Sequence, residues 1–203
     1  MSVLAELGRT LADSADRESW LSVHDKVIGS STAGKFAKPG SVETYVRQIL
    51  QPRTFKGNDA TESGNLWEPA LLAWAGAVPN SLFIHHPSNP RFAATVDGTI
   101  PTSTGFAICE TKAKHNKVVS GPTPYEIRQL AWQMACIPES EFAAWVWGEL
   151  VRDPNGAWDL RRDPQTLIFH HHDPVIVAAQ ALITPIADTV LSILDGAREE
   201  AWT

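Results

Sequence analysis

Apolar residues along this chain change period several times, and each change marks a new element. Val3, Leu4, Leu7 and Leu11 recur at three- and four-residue steps, which predicts a helix over residues 1–20. Ser19-Trp20-Leu21 to Val27-Ile28 continues as helix or short strand, and a run of small residues follows at 29–34. A second helix is expected from Ser41 to Leu50, with Ser41 as N-cap and Glu43 in the first turn. Residues 51–64 read as loop. A third helix should begin near Leu66, because Pro69 is tolerated only in a first turn, and this sets Glu68 at its N-terminal end. The period then shortens, and strands are expected at 82–86, 91–96 and 106–112, with Asp97-Gly98 opening the link between the last two. Residues 118–124 read as loop. Ile127, Leu130, Ala131 and Met134 share one face of a helix over Tyr125–Cys136. Residues 142–147 alternate as a strand. A hairpin through Asp153-Pro154-Asn155-Gly156 leads to a strand at 166–170, and a long amphipathic helix runs from Pro174 to Gly196. This order predicts an α/β (α+β) fold with a central mixed β-sheet flanked by helices, as one domain over residues 1–203.

Composition narrows the class. A 43% hydrophobic share and eight tryptophans, read as mostly core, are enough to bury a real interior. No window of eighteen apolar residues is found, so no membrane span is expected, and the acidic N-terminal stretch lacks a signal pattern. Cys109 and Cys136 are too few for a zinc ribbon or a four-cysteine iron–sulfur cluster, and they fit a reducing cytoplasm. The net charge of −6 argues against a general nucleic-acid coat protein. It leaves room for a local basic site: Lys112, Lys114, Lys117 and Arg128 lie in one stretch with only Glu126 opposing them.

The stretch ICETKAK, Ile108 to Lys114, carries the candidate chemistry. Alternate residues of a strand share a face, so Ile108, Glu110 and Lys112 point one way and Cys109 and Thr111 the other. By itself this is a strand end leaving the core with hydrated charges. Asp97 closes the preceding strand, and the two strands are expected to pair, which brings two carboxylates to one sheet edge. Such a pair repels unless a cation lies between its members, and a hard divalent ion with oxygen ligands satisfies it. An amine at Lys112 can then orient water or neutralise charge on a phosphate, the skeleton of metal-assisted phosphodiester hydrolysis. His170-His171-His172 alternate faces and cannot readily share one ion, and His85-His86 read as surface.

Five blocks in order resemble the lambda-exonuclease, or YqaJ-type, branch of the PD-(D/E)xK nucleases. They are RESWLSVHDKVIGSSTAGKF, GNLWEP, HHPSNPRFAATVDGTI, GFAICETKAK and PYEIRQLAWQM. The resemblance covers nearly the whole chain from Arg17 and implies a restriction-endonuclease-like core. It implies catalytic roles for Glu68, Asp97, Glu110, Lys112 and Gln129, with Gln133 held in reserve. Asp97, Glu110 and the backbone carbonyl of Thr111 would hold Mg2+, or Mn2+, with Glu68 as a further ligand. Ser31 matches a phosphate-contacting serine. His24 stands where the family has an arginine, and a histidine's charge is conditional near neutral pH. Lys114 and Arg128 are further candidates for the DNA backbone. The implied activity is a 5′-to-3′ exonuclease on linear double-stranded DNA, acting in phage-type recombination. Its implied setting is a bacterial cytoplasm, with a single-strand annealing protein as partner, no membrane, and a homotrimer around DNA. The alternatives are a structure-specific endonuclease or nickase of the same fold, or a catalytically silent DNA-binding module.

Overall fold

The longest sheet pairing is formed by two ten-residue strands, Phe106–His115 (β6) and Ala143–Arg152 (β7), which run parallel from Ile108↔Ala143 to His115↔Leu150. The structure, a computed structural model, describes residues 2–51 and 59–200. In chain order the elements before β6 are Thr10–Asp13 (β1), Arg17–His24 (α1), Ser30–Ala33 (α2), Val42–Leu50 (α3), Asp59–Trp74 (α4), Val78–Pro79 (β2), Leu82–His86 (β3), Asn89–Ala94 (β4) and Gly98–Pro101 (β5). Pro124–Cys136 (α5) is the crossover between β6 and β7, and Trp158–Leu160 (β8), Gln165–Phe169 (β9) and Pro174–Glu200 (α6) complete the chain.

A six-stranded mixed sheet runs β2-β5-β6-β7, with β8 and β9 both antiparallel to β7. Its two faces bury different partners. Cys109, Ala144 and Val146 meet Leu71 and Leu72 of α4 on one side. Ile108, Trp145 and Trp147 meet Leu130 and Met134 of α5 on the other, with Ile183, Ala187 and Val190 of α6 behind them. A separate antiparallel sheet, β1-β3-β4, packs on α5, where the Trp132 indole donates to Ala93 O at 3.0 Å and its ring lies 4.5 Å from Phe92. The fold is thus a mixed sheet between helices, as the hydrophobic pattern predicts, with a restriction-endonuclease-like core.

Several expectations are corrected. Residues 1–20 are not one helix: a short turn at Ala5–Leu7 ends at Gly8, whose φ of 66° reverses the chain into β1. The spacing of Leu4, Leu7 and Leu11 joins that turn to a strand edge. The helix that follows, α1, starts at Arg17, capped by Asp16, which accepts from the Glu18 and Ser19 amides. Ser41 makes no side-chain cap to α3. The expected loop at 51–64 is helical from Asp59, and its residues 52–58 lie outside the described residues. Pro69 is therefore inside α4 and Glu68 in mid-helix. Tertiary burial of Leu71 and Leu72 outweighs the one backbone bond that proline removes. The tryptophans divide, with Trp132, Trp145 and Trp147 buried and Trp74 exposed. Among the described residues one helical stretch, Pro174–Ala197, is long and apolar enough to cross a membrane by length and composition, with a mean hydropathy of 1.7. It is the amphipathic helix that the sequence pattern predicts, and its apolar stripe closes the core over α5.

The correction that matters most concerns β4 and β6, which do not pair. The chain leaves the small sheet at Ala94, crosses through Val96-Asp97 and enters β5, which pairs with β6 at Gly98↔Cys109. Asn80 fixes this crossing: its amide donates to Leu82 O and Val96 O, and its backbone N–H donates to Asp97 O at 2.9 Å. Directly after Asp97, a Cβ on Gly98 would lie 2.8 Å from Val78 O and 2.9 Å from Leu72 Cδ2. Backbone cannot yield there as a flexible side-chain tip can. Gly98→Ala is expected to lower stability by about 1–3 kcal/mol, as overpacking does. A denaturant midpoint unchanged from wild type would contradict this close approach.

Candidate active site

Alternation along β6 decides which of its side chains meet α5. Glu110, Lys112 and Lys114 occupy alternate positions, and all three reach toward that helix or toward one another. Glu110 is buried, with 3% of its side chain exposed. Its Oε1 accepts from the Lys112 ammonium and from Gln129 Nε2 at 2.6 Å, and its Oε2 accepts from Gln133 Nε2 at 2.5 Å. Gln133 also donates to Thr95 O at 3.2 Å. Two glutamines one helical turn apart therefore present N–H groups to one carboxylate. Both contact Glu110, so the choice between Gln129 and Gln133 does not arise in this structure.

Asp97 approaches from the other side of the strand. Its Oδ2 accepts from the Thr111 backbone N–H at 2.7 Å and from Thr111 Oγ1 at 2.9 Å. The Thr111 side chain was not singled out by sequence, since nothing local marks it. Glu68, on α4, is half-buried and electrostatically coupled to Glu110 and Lys112.

Burial pushes the Glu110 carboxyl up to about 7, and the neighbouring charge on Asp97 adds to the push, against the pull of Lys112 and Gln133. Asp97 is raised as well, by burial above all, while Lys112 and the Thr111 bonds oppose the rise and Glu68 adds to it. Glu68 is raised by burial and then by Glu110. Burial works against the Lys112 ammonium, but Glu110 and Asp97 together outweigh it and hold its pKa above the ordinary lysine value. One amine is thus shared among carboxylates whose combined charge exceeds it.

This donor set fits a hard divalent cation. The available ligands are oxygens, the carboxylates are mutually repelling, and a cation would relieve that repulsion. Among the described residues no three His, Cys, Asp or Glu side chains form a ready-made cage. In this state the Glu110 oxygens accept from Lys112, Gln129 and Gln133, and Asp97 Oδ2 accepts from Thr111.

A cavity of about 420 Å³ adjoins this cluster through Gln129, and Ser31 and His24 line it together with Arg17, Trp20 and Ser30. α5 holds its floor in place: Tyr125 Oη donates to Ser31 O at 3.1 Å and Arg128 Nε donates to Gly34 O at 2.8 Å. Lys114 is ion-paired with Glu126, whose carboxylate also caps the start of α5 through Thr123. Arg128 and Lys114 therefore both have intramolecular partners that fix α5. Sequence reasoning passed over Arg17, although it lies seven residues before His24 and hence on the same helix face. Among the three tandem histidines, His171 contacts Ser140 O at 2.7 Å and is not among the partners of Glu110 or Asp97.

No family model matches the sequence, and no curated protein does. Solved structures do match. An alkaline exonuclease, LHK-Exo, from Laribacter hongkongensis has a TM-score of 0.64 at 18% identity, covering 91% of this chain and 97% of that one. The same enzyme in complex with dAMP has a TM-score of 0.60 at 16% identity, with the same coverage. A phage-related exonuclease from Haemophilus somnus 129PT has a TM-score of 0.60 at 14% identity, covering 84% of this chain and 96% of that one. The chain has the fold of these exonucleases, which matches the resemblance read from its motifs at the level of the fold.

The raised Glu110 carboxyl sets a pH dependence. A folded-state pKa above the ordinary 4.5 means that stabilisation present below that value is lost as pH rises through about 7. Between those limits the metal-free protein should lose on the order of 2 kcal/mol from this group. Glu110→Gln should flatten the loss, measured as denaturant midpoint against pH in the presence of a chelator. Equal losses in wild type and variant would show that Glu110 is not the strained carboxylate.

Proposed function

We propose that this chain is a metal-dependent deoxyribonuclease of the PD-(D/E)xK type, in the lambda-exonuclease branch, digesting the 5′ strand of linear double-stranded DNA. The observation that carries the reading is the contact set of Glu110: a buried carboxylate bonded to Lys112 two residues on and to two glutamines of α5, with Asp97 held at the intervening Thr111. The fold shared with two exonucleases supports it.

In this reading Asp97, Glu110 and the Thr111 carbonyl hold Mg2+, or Mn2+ in its place, and Glu68 supplies a further oxygen. When bound, the ion acts as a Lewis acid toward phosphate and lowers the pKa of coordinated water. The protein groups do the rest. Lys112, an ammonium held between carboxylates, orients the attacking water and offsets negative charge developing on the phosphate oxygens. Gln129 fixes the shared Glu110 oxygen and so sets where Lys112 points. Gln133 holds the second oxygen and keeps the carboxylate plane fixed. Ser31 and His24, in the adjoining cavity, receive the terminal phosphate, and hydrolysis leaves a 5′-phosphate on the released nucleotide. The same resemblance places a single-strand annealing protein, a homotrimeric assembly on DNA and a role in phage-type recombination within the proposal.

The test is digestion of linear against covalently closed circular duplex DNA, with and without magnesium. Wild type should release mononucleotides from a 5′-labelled linear duplex, only with the metal, and leave the circle intact. Glu110→Ala and Lys112→Ala should each lower the rate at least about a hundredfold while retaining the thermal unfolding transition. Cleavage of the circle would replace the exonuclease reading with an endonuclease. Undiminished digestion by Glu110→Ala would remove the assigned site.

A further inference from the structure

Two acceptors fix how the Gln133 amide lies. Its Nε2 donates to Glu110 Oε2 at 2.5 Å and to Thr95 O at 3.2 Å. A carbonyl and an ionised carboxylate only accept, so the amide nitrogen faces them and Oε1 is turned away. Gln133 is wholly buried, yet its Oε1 has no hydrogen-bond partner among the described residues. Buried acceptors are as a rule bonded. The other buried side-chain atoms in that condition, among the described residues, are the indole nitrogens of Trp145, Trp147 and Trp158 and Glu149 Oε2. Of these side chains Gln133 is the one hydrogen-bonded to Glu110.

The same amide joins two segments. Thr95 lies two residues before Asp97, on the crossing from β4 to β5, and Glu110 lies on β6. Thr111 makes the opposite link, from β6 to Asp97 Oδ2. The separation of the two carboxylates is therefore held from both sides. The lone pairs left for a cation follow from these bonds. Glu110 Oε1 accepts from both Lys112 and Gln129, and Asp97 Oδ2 accepts twice from Thr111. A carboxylate oxygen has about two acceptor sites, so these two oxygens are filled. Glu110 Oε2 accepts from Gln133 and keeps a second site. It is the oxygen to which the Gln133 amide is bonded, and Gln133 Oε1 sits on the same carbon as the bonded nitrogen.

We propose that Gln133 is a positioning residue that sets which divalent cation this site takes: its Oε1 accepts a hydrogen bond from a water carried by an ion on Glu110 and Asp97, which shifts the preference of the site toward Mg2+ and away from Ca2+. This rests on the metal-dependent nuclease reading above. Mg2+ is small, dehydrates reluctantly and keeps several waters, whereas Ca2+ exchanges its waters readily for roughly six to eight oxygens at longer distances. An acceptor for a retained water therefore stabilises Mg2+ more than Ca2+. The fixed carboxylate spacing works in the same direction, because octahedral geometry tolerates little change.

The test is calorimetric titration of the chelator-treated full chain with Mg2+ and with Ca2+, in wild type and in two variants of similar volume, Gln133→Met and Gln129→Met. Gln133→Met should weaken Mg2+ binding by about tenfold or more and Ca2+ binding by less than about threefold. Gln129→Met, which also takes a donor from Glu110 but leaves Gln133 in place, should change both ions by the same factor. Equal losses for the two ions in Gln133→Met would show a merely structural residue and overturn the proposal, as would an unchanged Mg2+ affinity. A second readout uses wild type alone, so it stands even where Gln133→Met does not fold. The side-chain carbonyl carbon of Gln133, followed by NMR, should move downfield on saturation with Mg2+, the direction of a gained hydrogen bond, and should move less with Ca2+. No movement with Mg2+, or equal movement with both ions, overturns the proposal. Wild type that binds Mn2+ but not Mg2+ overturns it too and leaves the nuclease reading standing. Wild type that binds none of these ions removes the metal-dependent reading, and the role of Gln133 falls with it.

Discussion

A carboxylate buried on the face of a sheet strand needs donors, and Glu110 draws its donors from the crossover helix packed on that face. Gln129, Gln133 and Lys112 converge on its two oxygens, and Lys114 reaches Glu126 two positions further along the strand. Removing an ionised carboxylate from water costs several kcal/mol, so the register between β6 and α5 cannot slip without leaving Glu110 unpaired. The same helix then fixes the neighbouring segments. Tyr125 and Arg128 hold α2, and Trp132 and Gln133 hold the end of the small sheet at Ala93 and Thr95. One electrostatic requirement thus aligns the sheet, the helix and the cavity.

That alignment also crowds the carboxylates. Asp97, Glu110 and Glu68 each raise another's pKa, and Lys112 neutralises only part of their charge. A protein selected for stability alone would place apolar residues of similar volume here, which is often neutral or stabilising. Several acids around one amine are what the proposed site for a divalent cation and a phosphate would call for. The apolar shell of Ile108, Trp145 and Leu130 behind Glu110 keeps the dielectric low and strengthens each of these interactions.

Part of this was legible in the sequence because it depends on short periods. Alternation along ICETKAK places Glu110 and Lys112 on one face and Thr111 on the other, and the structure has that arrangement. The route by which Asp97 arrives was misread. Gly98-Thr99-Ile100-Pro101 looks like a link because it contains glycine and proline, yet it is the strand that pairs with β6. Helix α4 was cut short for a similar reason, since Gly64 and Pro69 break the local pattern while burial of Leu71 and Leu72 restores the helix. The Gln129 and Gln133 contacts join residues 19 and 23 positions from Glu110, and no local signal specifies such a distance. The role of Thr111 Oγ1, and the cavity shared by Arg17, Ser31 and Gln129, belong to the same class of long-range facts.

The net charge of −6 bears on how such a chain meets a polyanion. On the proposed reading, long-range attraction to DNA would be weak or adverse, and association would rely on short-range contacts. The basic cluster that the sequence offers near the carboxylates is largely committed elsewhere. Lys112 is paired with Glu110, Lys114 with Glu126, and Arg128 is bonded to Gly34 O. These cations hold the fold and the carboxylates in place. The cavity that adjoins Gln129 brings two further basic side chains, Arg17 and His24, to this part of the molecule.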